Sequence, residues 1–153
     1  MPVNHCKIVL SDHPSRCSEK QRTIVSKDEG HDYKHIGCND SQGRVRQYKI
    51  DGEVLPKGQI PERCDFMLLT DDTNPLVAYL IELKGSPADA DKCIAQVEST
   101  ERMCRDTLRG YQILYRFVFG KGHGVYGSKF INWRDKLPKG KLISKRNVVE
   151  DHF

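Results

Sequence analysis

Residues 64–85, with the sequence CDFMLLTDDTNPLVAYLIELKG, decide the fold of this chain. An apolar run at residues 64–70 is followed by a polar turn at residues 71–75 and by a second apolar run at residues 77–84. Apolar runs of strand length on both sides of a short polar turn are typical of a buried hairpin. We therefore predict two antiparallel strands in the interior of the protein.

The flanking sequence extends this hairpin to a mixed α/β domain. Residues 44–50 alternate in polarity and end at Asp51-Gly52, a dipeptide favoured in tight turns, which predicts a strand before the hairpin. After the hairpin, Ser86-Pro87 is typical of a helix start, and apolar residues recur at helical spacing until Gly110. Residues 111–119 are rich in aromatic and branched side chains and predict a further strand.

Weaker patterns predict the remaining elements. Residues 6–10 indicate a short strand, and a capping-box pattern predicts a brief helix at residues 18–25. Residues 31–43 are polar and predict a loop, and residues 125–131 indicate one more short element. Because the sequence contains no repeat and no linker, we expect a single domain over residues 1–153, with a mixed central sheet flanked by helices.

The composition is typical of a globular protein, with 37% hydrophobic and 30% charged residues and a formal net charge of +4. No stretch approaches the roughly 18 apolar residues of a membrane span, and the N-terminal sequence has no signal-peptide core. We therefore expect a cytoplasmic protein with no membrane partner. The six cysteines should be reduced thiols, and Cys64, Cys93 and Cys104 occupy predicted core positions.

Basic residues are concentrated at residues 121–146, where Asp135 is the sole acidic residue. Such a segment suits the phosphate backbone of a nucleic acid, although a solvated surface has the same composition. Lys121 and His123 lie in a glycine-rich stretch and are candidate phosphate contacts. Trp133 has basic neighbours, and it is a candidate either for stacking on bases or for packing in the core.

Three charged residues of the predicted hairpin should meet at one of its ends. Asp65 lies at the start of the first strand, and Glu82 and Lys84 lie near the end of the second. Because side chains alternate along a strand, Glu82 and Lys84 share one face while Leu83 points into the core. A turn around residues 71–75 then brings Asp65 close to Glu82.

Two carboxylates at one place favour a divalent cation, because they repel each other unless a positive charge joins them. Mg²⁺ prefers hard oxygen ligands, and the predicted ligands are Asp65, Glu82 and the backbone carbonyl of Leu83, with Mn²⁺ as an expected substitute. Lys84 would hold or deprotonate the water that attacks a phosphodiester. A Glu-x-Lys tripeptide also occurs on ordinary surfaces, but here it ends a buried strand, where unpaired charges are rare.

This arrangement resembles the motif of the PD-(D/E)xK, or restriction-endonuclease-like, nuclease superfamily. The likeness covers about residues 44–119 and consists of CDFMLL, a turn, AYLIELKG and a helix that contains Gln96. It implies an αβββαβ core with Asp65 and Glu82 as metal ligands and Lys84 as the catalytic lysine. Gln96 stands where many members carry a glutamine of the site.

Two positions depart from the family pattern. Cys64 stands in place of the proline before the aspartate, which is a common variation. Thr100 occupies the tyrosine position of the Q-x-x-x-Y extension found in some exonuclease members, so that subgroup is not matched. The family often adds an acidic residue from its first helix, for which Glu19 is the first candidate, followed by Glu29 and Glu53.

The resemblance implies a metal-dependent nuclease that hydrolyses phosphodiester bonds, of DNA more than of RNA, in defence, repair or mobile-element processing. A domain of this size would form a homodimer or rely on a partner protein that directs it. One alternative is a non-catalytic nucleic-acid- or protein-binding module that retains the nuclease fold. The other is a structural zinc module, for which the sequence offers ligand types without the close spacing of zinc motifs. These residues are His5, Cys6, Cys17, His35 and Cys38.

Overall fold

The computed structural model describes residues 16–18, 23–41, 43–54 and 62–153, the first segment by its backbone. Within these residues the chain forms nine strands and three α-helices, numbered here in chain order. The strands are β1 (Arg16–Ser18), β2 (Thr23–Ser26), β3 (Lys34–Cys38), β4 (Val45–Lys49), β5 (Phe66–Thr70), β6 (Val77–Lys84), β7 (Gln112–Phe119), β8 (Leu142–Arg146) and β9 (Val148–His152). The helices are α1 (Ala90–Met103), α2 (Arg105–Leu108) and α3 (Ser128–Asp135).

The larger sheet has six strands in the order β1-β4-β5-β6-β7-β8. Strand β4 is antiparallel to β1 and β5, and β5 is antiparallel to β6, to which a short turn joins it. Strand β7 is parallel to β6, and β8 is parallel to β7. Parallel neighbours need a crossover connection, which α1 and α2 provide before β7 and α3 provides before β8.

The smaller sheet has the order β2-β3-β9. Strand β2 pairs with β3 as an antiparallel hairpin, whereas β9 joins β3 in a parallel orientation. The molecule is therefore an α/β protein with two sheets, the larger of which is mixed, and with few helices.

The six-stranded sheet buries both of its faces. On one face, Leu80 and Phe117 of the sheet pack with Val97 of α1 and Phe130 of α3. On the other face, Ile81 and Val118 pack with Ile24 of β2 and Val149 of β9. This double burial explains why β5 and β6 have near-continuous apolar sequences rather than alternating ones.

The predicted strand before the hairpin is confirmed as β4, the hairpin as β5 and β6, and the following strand as β7, while the predicted long helix is observed as α1 and α2, which separate at Cys104. A 3₁₀ turn at Pro87–Asp89 precedes α1, and the Ser86 hydroxyl accepts a hydrogen bond from Ala88 N at 3.2 Å, as a helix cap does. Gly110, which follows α2, has a φ of 88°, a conformation that glycine adopts without strain. The strand predicted at residues 6–10 lies outside the described residues.

The helix predicted at residues 18–25 is wrong for the residues that the structure describes. Ser18 ends β1, and residues 23–26 form β2. The segment contains the β-branched residues Thr23, Ile24 and Val25, which favour strands over helices. Pairing with β3 and burial of Ile24 outweigh the local capping pattern.

The loop predicted at residues 31–43 is wrong at Lys34–Cys38, which is β3. This strand alternates between buried and partly exposed residues, but its buried positions are His35 and Gly37. Because neither is an ordinary core residue, the alternation is not visible as hydrophobicity. The short element indicated at residues 125–131 is partly α3, and strands β8 and β9 were not predicted.

Among the described residues, no helix is long and apolar enough to cross a lipid bilayer.

Candidate metal and phosphodiesterase site

The backbone places Asp65 opposite the end of β6. Asp65 N donates a hydrogen bond to Ile81 O at 3.1 Å, and Asp65 O accepts one from Ile50 N at 2.9 Å. The residue is therefore held from both sides, although it lies just before the first residue of β5. The apolar pattern of the hairpin fixes its register, with Phe66 opposite Ile81, and that register sets the position of Asp65.

The side chains of Asp65, Glu82 and Lys84 come together at this end of the sheet. Leu83 N donates a hydrogen bond to Asp65 Oδ2 at 2.8 Å, so the carboxylate turns toward β6. Lys84 Nζ lies 3.3 Å from Glu82 Oε1. Glu82 is only 1% exposed, and both of its carboxylate oxygens are without a hydrogen-bond partner among the described residues. A buried carboxylate in that condition is costly.

The electrostatics of the two carboxylates reflect this cost. Burial raises the pKa of Asp65 to about 6, against the hydrogen bond from Leu83 N, which lowers it. Burial and then the charge of Asp65 raise the pKa of Glu82 well above its ordinary value. Burial lowers the pKa of Lys84, but the charge of Glu82 outweighs it, and the net direction is upward. Lys84 therefore contributes a positive charge.

The backbone carbonyl of Leu83 is oriented toward Asp65. Along a strand, the N–H and C=O groups of one residue point to the same side, and successive residues alternate between sides. Leu83 N donates to Asp65 Oδ2, while Lys84 O accepts from Gly120 N on the opposite side. The Leu83 oxygen consequently points to the side on which Asp65 lies, beyond the β5–β6 ladder.

Helix α1 contributes Cys93 and Thr100 to this region. The pKa of the Cys93 thiol is raised by burial and then by the charge of Glu82, which places the thiol beside the carboxylates. Thr100 Oγ1 accepts a hydrogen bond from Cys64 N at 2.8 Å and donates one to Gln96 O at 2.7 Å. Thr100 thus connects the helix to the residue that precedes Asp65.

Gln96 lies on the same helix, partly exposed, and its side-chain oxygen is buried without a hydrogen-bond partner in the part of the chain that the structure describes. None of the described hydrogen bonds connects the Gln96 side chain with Asp65, Glu82 or Lys84. The structure therefore brings together four of the predicted site groups, including the Leu83 carbonyl, and leaves Gln96 as a neighbour without a direct bond to them.

Two residues beside the site have no signal in the sequence. Asp28 follows β2, and its negative charge adds to the rise in the pKa of Asp65. Tyr33 precedes β3, and burial first, then the charges of Asp28 and Asp65, raise the pKa of its hydroxyl, while the charge of Lys84 lowers it. Both belong to segments without a recognisable pattern, so only the tertiary fold reveals them.

A groove of about 510 Å³ begins beside Phe66, the neighbour of Asp65. Its lining includes Asp28 together with Glu29 and Glu53, which are two of the acidic candidates from the sequence. The third candidate, Glu19, lies outside the described residues. The groove thus carries additional carboxylates close to the candidate site. Of these, Asp28 is the one whose charge raises the pKa of Asp65.

The glycine-rich loop after β7 packs against the end of β6. Gly122 N donates a hydrogen bond to Gly85 O at 2.8 Å, and a Cβ on Gly122 would collide with that carbonyl. Arg146 Nη1 donates to Gly120 O at 3.3 Å and Gly122 O at 3.0 Å, which holds the loop from the other side. The loop that carries the exposed residues Lys121 and His123 is thereby held beside the end of β6.

Trp133 packs on the core rather than standing free. Its ring is nearly parallel to that of Phe117, with an interplanar angle of 5° and a centroid distance of 6.0 Å. It also stacks on the ring of Tyr115, at a centroid distance of 5.5 Å. The residue remains partly exposed. The start of its helix is capped from α1, because Asp91 Oδ1 accepts a hydrogen bond from Phe130 N at 2.9 Å.

Comparison with known proteins does not add to this geometry: no family model, no curated protein and no solved structure matches the chain.

The residues present fit a divalent cation. Among the described residues, the buried Glu82 carboxylate has no hydrogen-bond partner beyond its ion pair with Lys84; Asp65 directs a second carboxylate to the same place, and Leu83 adds a carbonyl oxygen. Hard oxygen donors of this kind are the ligands that Mg²⁺ and Mn²⁺ take in proteins. A cation between the two carboxylates would stabilise their charged forms, which burial disfavours at both residues and which the charge of Asp65 further disfavours at Glu82.

Proposed function

We propose that this protein is a metal-dependent nuclease that hydrolyses phosphodiester bonds of nucleic acid, with DNA favoured over RNA. The observation that carries the proposal is the buried Glu82 carboxylate, which among the described residues has no hydrogen bond beyond its ion pair with Lys84 and lies with Asp65 and Lys84 at one end of the hairpin. Buried charged groups that lack hydrogen bonds and have shifted pKa values are concentrated at functional sites.

In this proposal Asp65, Glu82 and the Leu83 carbonyl hold Mg²⁺ or Mn²⁺. The cation supplies Lewis-acid stabilisation of the charge that develops on the phosphoryl oxygens. Lys84, which keeps its positive charge, orients the attacking water and stabilises the same negative charge. Lys121, on the loop beside Lys84, offers a contact for the nucleic-acid backbone.

The proposal includes a restriction-endonuclease-like core. The order β4, β5, β6, α1, β7 supports it, because three antiparallel strands are followed by a helix and a strand parallel to the third. The described residues before β4 contain strands and no helix, so the first helix of that core has no counterpart among them. The proposed active site does not depend on that helix.

The test is cleavage of circular single-stranded DNA, circular double-stranded DNA and RNA with Mg²⁺, Mn²⁺ or EDTA. We expect metal-dependent cleavage by the unaltered chain and its loss in Asp65→Ala and Lys84→Ala. Matched controls are Asp72→Ala, in the turn at the far end of the same hairpin, and Lys92→Ala, on the exposed side of α1. Both controls should cleave normally.

Folded protein that cleaves none of these substrates and binds no Mn²⁺ would refute the nuclease assignment. That result would leave the non-catalytic binding module as the better explanation of the fold. Cleavage that persists in both site variants would show instead that the activity resides elsewhere or in a contaminant.

A further inference from the structure

The outer face of the smaller sheet carries a second group of metal-ligand side chains, away from the hairpin site. Strand β3 ends at Cys38, and Cys38 lies opposite His152 of the parallel strand β9. Residues in register on parallel neighbours point to the same face, and Glu150, two residues before His152, points there as well. Cys38 is partly exposed, and both Glu150 and His152 are exposed.

We propose that Cys38, Glu150 and His152 bind Zn²⁺. One ligand atom from each of the three residues lies within 4.8 Å of the other two. Cys38 Sγ is 3.6 Å from Glu150 Oε1, and His152 Nε2 is 3.7 Å from Glu150 Oε2. Bond lengths and tetrahedral angles at zinc place such ligand atoms about 3.4–3.6 Å apart, so small side-chain movements suffice.

The second observation that points to a metal is the partner of His152. His152 Nδ1 lies 3.1 Å from Asp40 Oδ2, while Nε2 is the nitrogen that faces Glu150. A carboxylate on one ring nitrogen of histidine fixes the tautomer, leaving the other nitrogen free to coordinate a metal. Asp40 is therefore a positioning residue for the zinc ligand.

The ligand set selects the metal. Thiolate and imidazole favour Zn²⁺ over the hard cations Mg²⁺ and Ca²⁺, which prefer sites made of oxygens. With three protein ligands on an exposed face, solvent completes the coordination. A cation here would join the end of β3 to the end of β9. The site is separate from the proposed nuclease site, and neither depends on the other.

Spacing explains why the sequence did not indicate this site. Cys38 and Glu150 are 112 positions apart, whereas zinc motifs in sequence are recognised by ligand pairs a few residues apart. Only the parallel pairing of β3 with β9 brings the ligands together.

The experiment uses Co²⁺ as a spectroscopic substitute for Zn²⁺ on the full chain, stripped with EDTA. We expect one equivalent of Co²⁺ to give a thiolate-to-cobalt charge-transfer band that Zn²⁺ abolishes. The band should be lost in Cys38→Ser. In Asp40→Asn it should persist, with the affinity weakened about 10- to 100-fold, because the positioning carboxylate is lost while the ligands remain.

The matched control is Cys93→Ser, because Cys93 lies beside the carboxylates of the hairpin site and is the other thiol that a metal could reach there. The band must survive in this variant. A band that is absent from the unaltered chain, or that disappears in Cys93→Ser and persists in Cys38→Ser, overturns the proposal. Circular dichroism of Cys38→Ser checks that its fold is unchanged.

Discussion

The carboxylate of Asp151 and the carboxylates of Asp65 and Glu82 are all largely withdrawn from solvent, yet their surroundings differ. Asp151 Oδ2 lies 2.8 Å from His35 Nε2 and accepts a hydrogen bond from Arg116 Nε at 2.8 Å. Burial alone would raise the pKa of Asp151, but these two partners outweigh it and lower the pKa.

At the hairpin site the balance is reversed. Burial raises the pKa of both Asp65 and Glu82, and the hydrogen bond from Leu83 and the charge of Lys84 do not compensate for it. The comparison teaches that burial of acidic groups does not by itself indicate function. Asp151 is a satisfied structural group that connects β9 with β3 and β7, whereas Glu82, among the described residues, has an ion pair with Lys84 and no hydrogen bond that offsets its burial.

The largest effect that we expect concerns catalysis at Glu82. Glu82→Gln keeps the shape of the side chain and removes its charge, so the cation loses a ligand. A loss of about 4 kcal/mol of transition-state stabilisation corresponds to a roughly thousand-fold lower cleavage rate. The measurement is the rate of DNA nicking in Mg²⁺ for this variant and for Asp151→Asn, at a temperature at which circular dichroism shows both to be folded; Asp151→Asn should then nick at an ordinary rate. If the two variants lost the same fraction of the nicking rate, Glu82 would not differ from Asp151 in its importance for catalysis.

The next effect concerns stability at Asp151. Asp151→Asn leaves the buried guanidinium of Arg116 without its charged partner, and breaking a buried ion pair in this way costs about 4 kcal/mol. Urea denaturation at neutral pH measures the loss. Glu82→Gln should not destabilise the protein to this extent, because removal of a carboxylate whose burial is costly offsets the loss of its ion pair with Lys84. A stability close to that of the unaltered protein would mean that the Asp151 contacts contribute little.

The third effect is the pH dependence of stability that Asp65 causes. Its pKa in the folded protein is about 6, above the ordinary value of 3.8, so the folded state binds this proton more tightly. Without added metal, the stability should therefore fall as the pH rises from about 4 to about 6, by about 2 kcal/mol.

The Asp65→Asn variant isolates this contribution, because the free energy difference between it and the unaltered chain should grow over the same pH range. Denaturation curves at pH 4 and pH 7 provide the measurement. Adding Mn²⁺ at pH 7 should stabilise the unaltered chain and leave Asp65→Asn unchanged. A difference that stays constant with pH would show that the Asp65 carboxyl does not titrate as proposed.

The smallest effect is at Thr100. Thr100→Val leaves the buried N–H of Cys64 without an acceptor, which should cost about 1 kcal/mol of stability. Because Cys64 precedes Asp65, we also expect weaker Mn²⁺ binding. Thr100→Ser retains the hydroxyl group and should restore both properties. If Thr100→Val and Thr100→Ser behave alike, the hydroxyl does not position the site.

The sequence predicts the central part of the fold because its signals there are local. The apolar runs of β5 and β6, the turn between them and the Ser86 cap are each specified within a few residues, and they also place Asp65, Glu82 and Lys84 together. Side-chain alternation along β6 was sufficient to put Glu82 and Lys84 on one face.

The parts that the sequence does not predict depend on distant partners. Strand β3 is polar and becomes a strand through β2 and β9, on either side of it. Asp28 affects Asp65 only through the packing of the two sheets, and the role of Thr100 depends on a hydrogen bond to a residue 36 positions away. Periodicity carries no information about such contacts.

The parallel pairing of β3 with β9 also has a consequence for the order in which the protein folds. His35 and Asp151, which meet across this pair, are 116 positions apart. During synthesis β2 and β3 emerge long before β9, and a two-stranded hairpin alone in water is marginally stable. Contacts between distant parts of a chain form slowly. We therefore expect the smaller sheet to be completed last, so that the Asp151 network and the proposed zinc ligands would come together in that same final step, after the hairpin that carries Asp65 and Glu82.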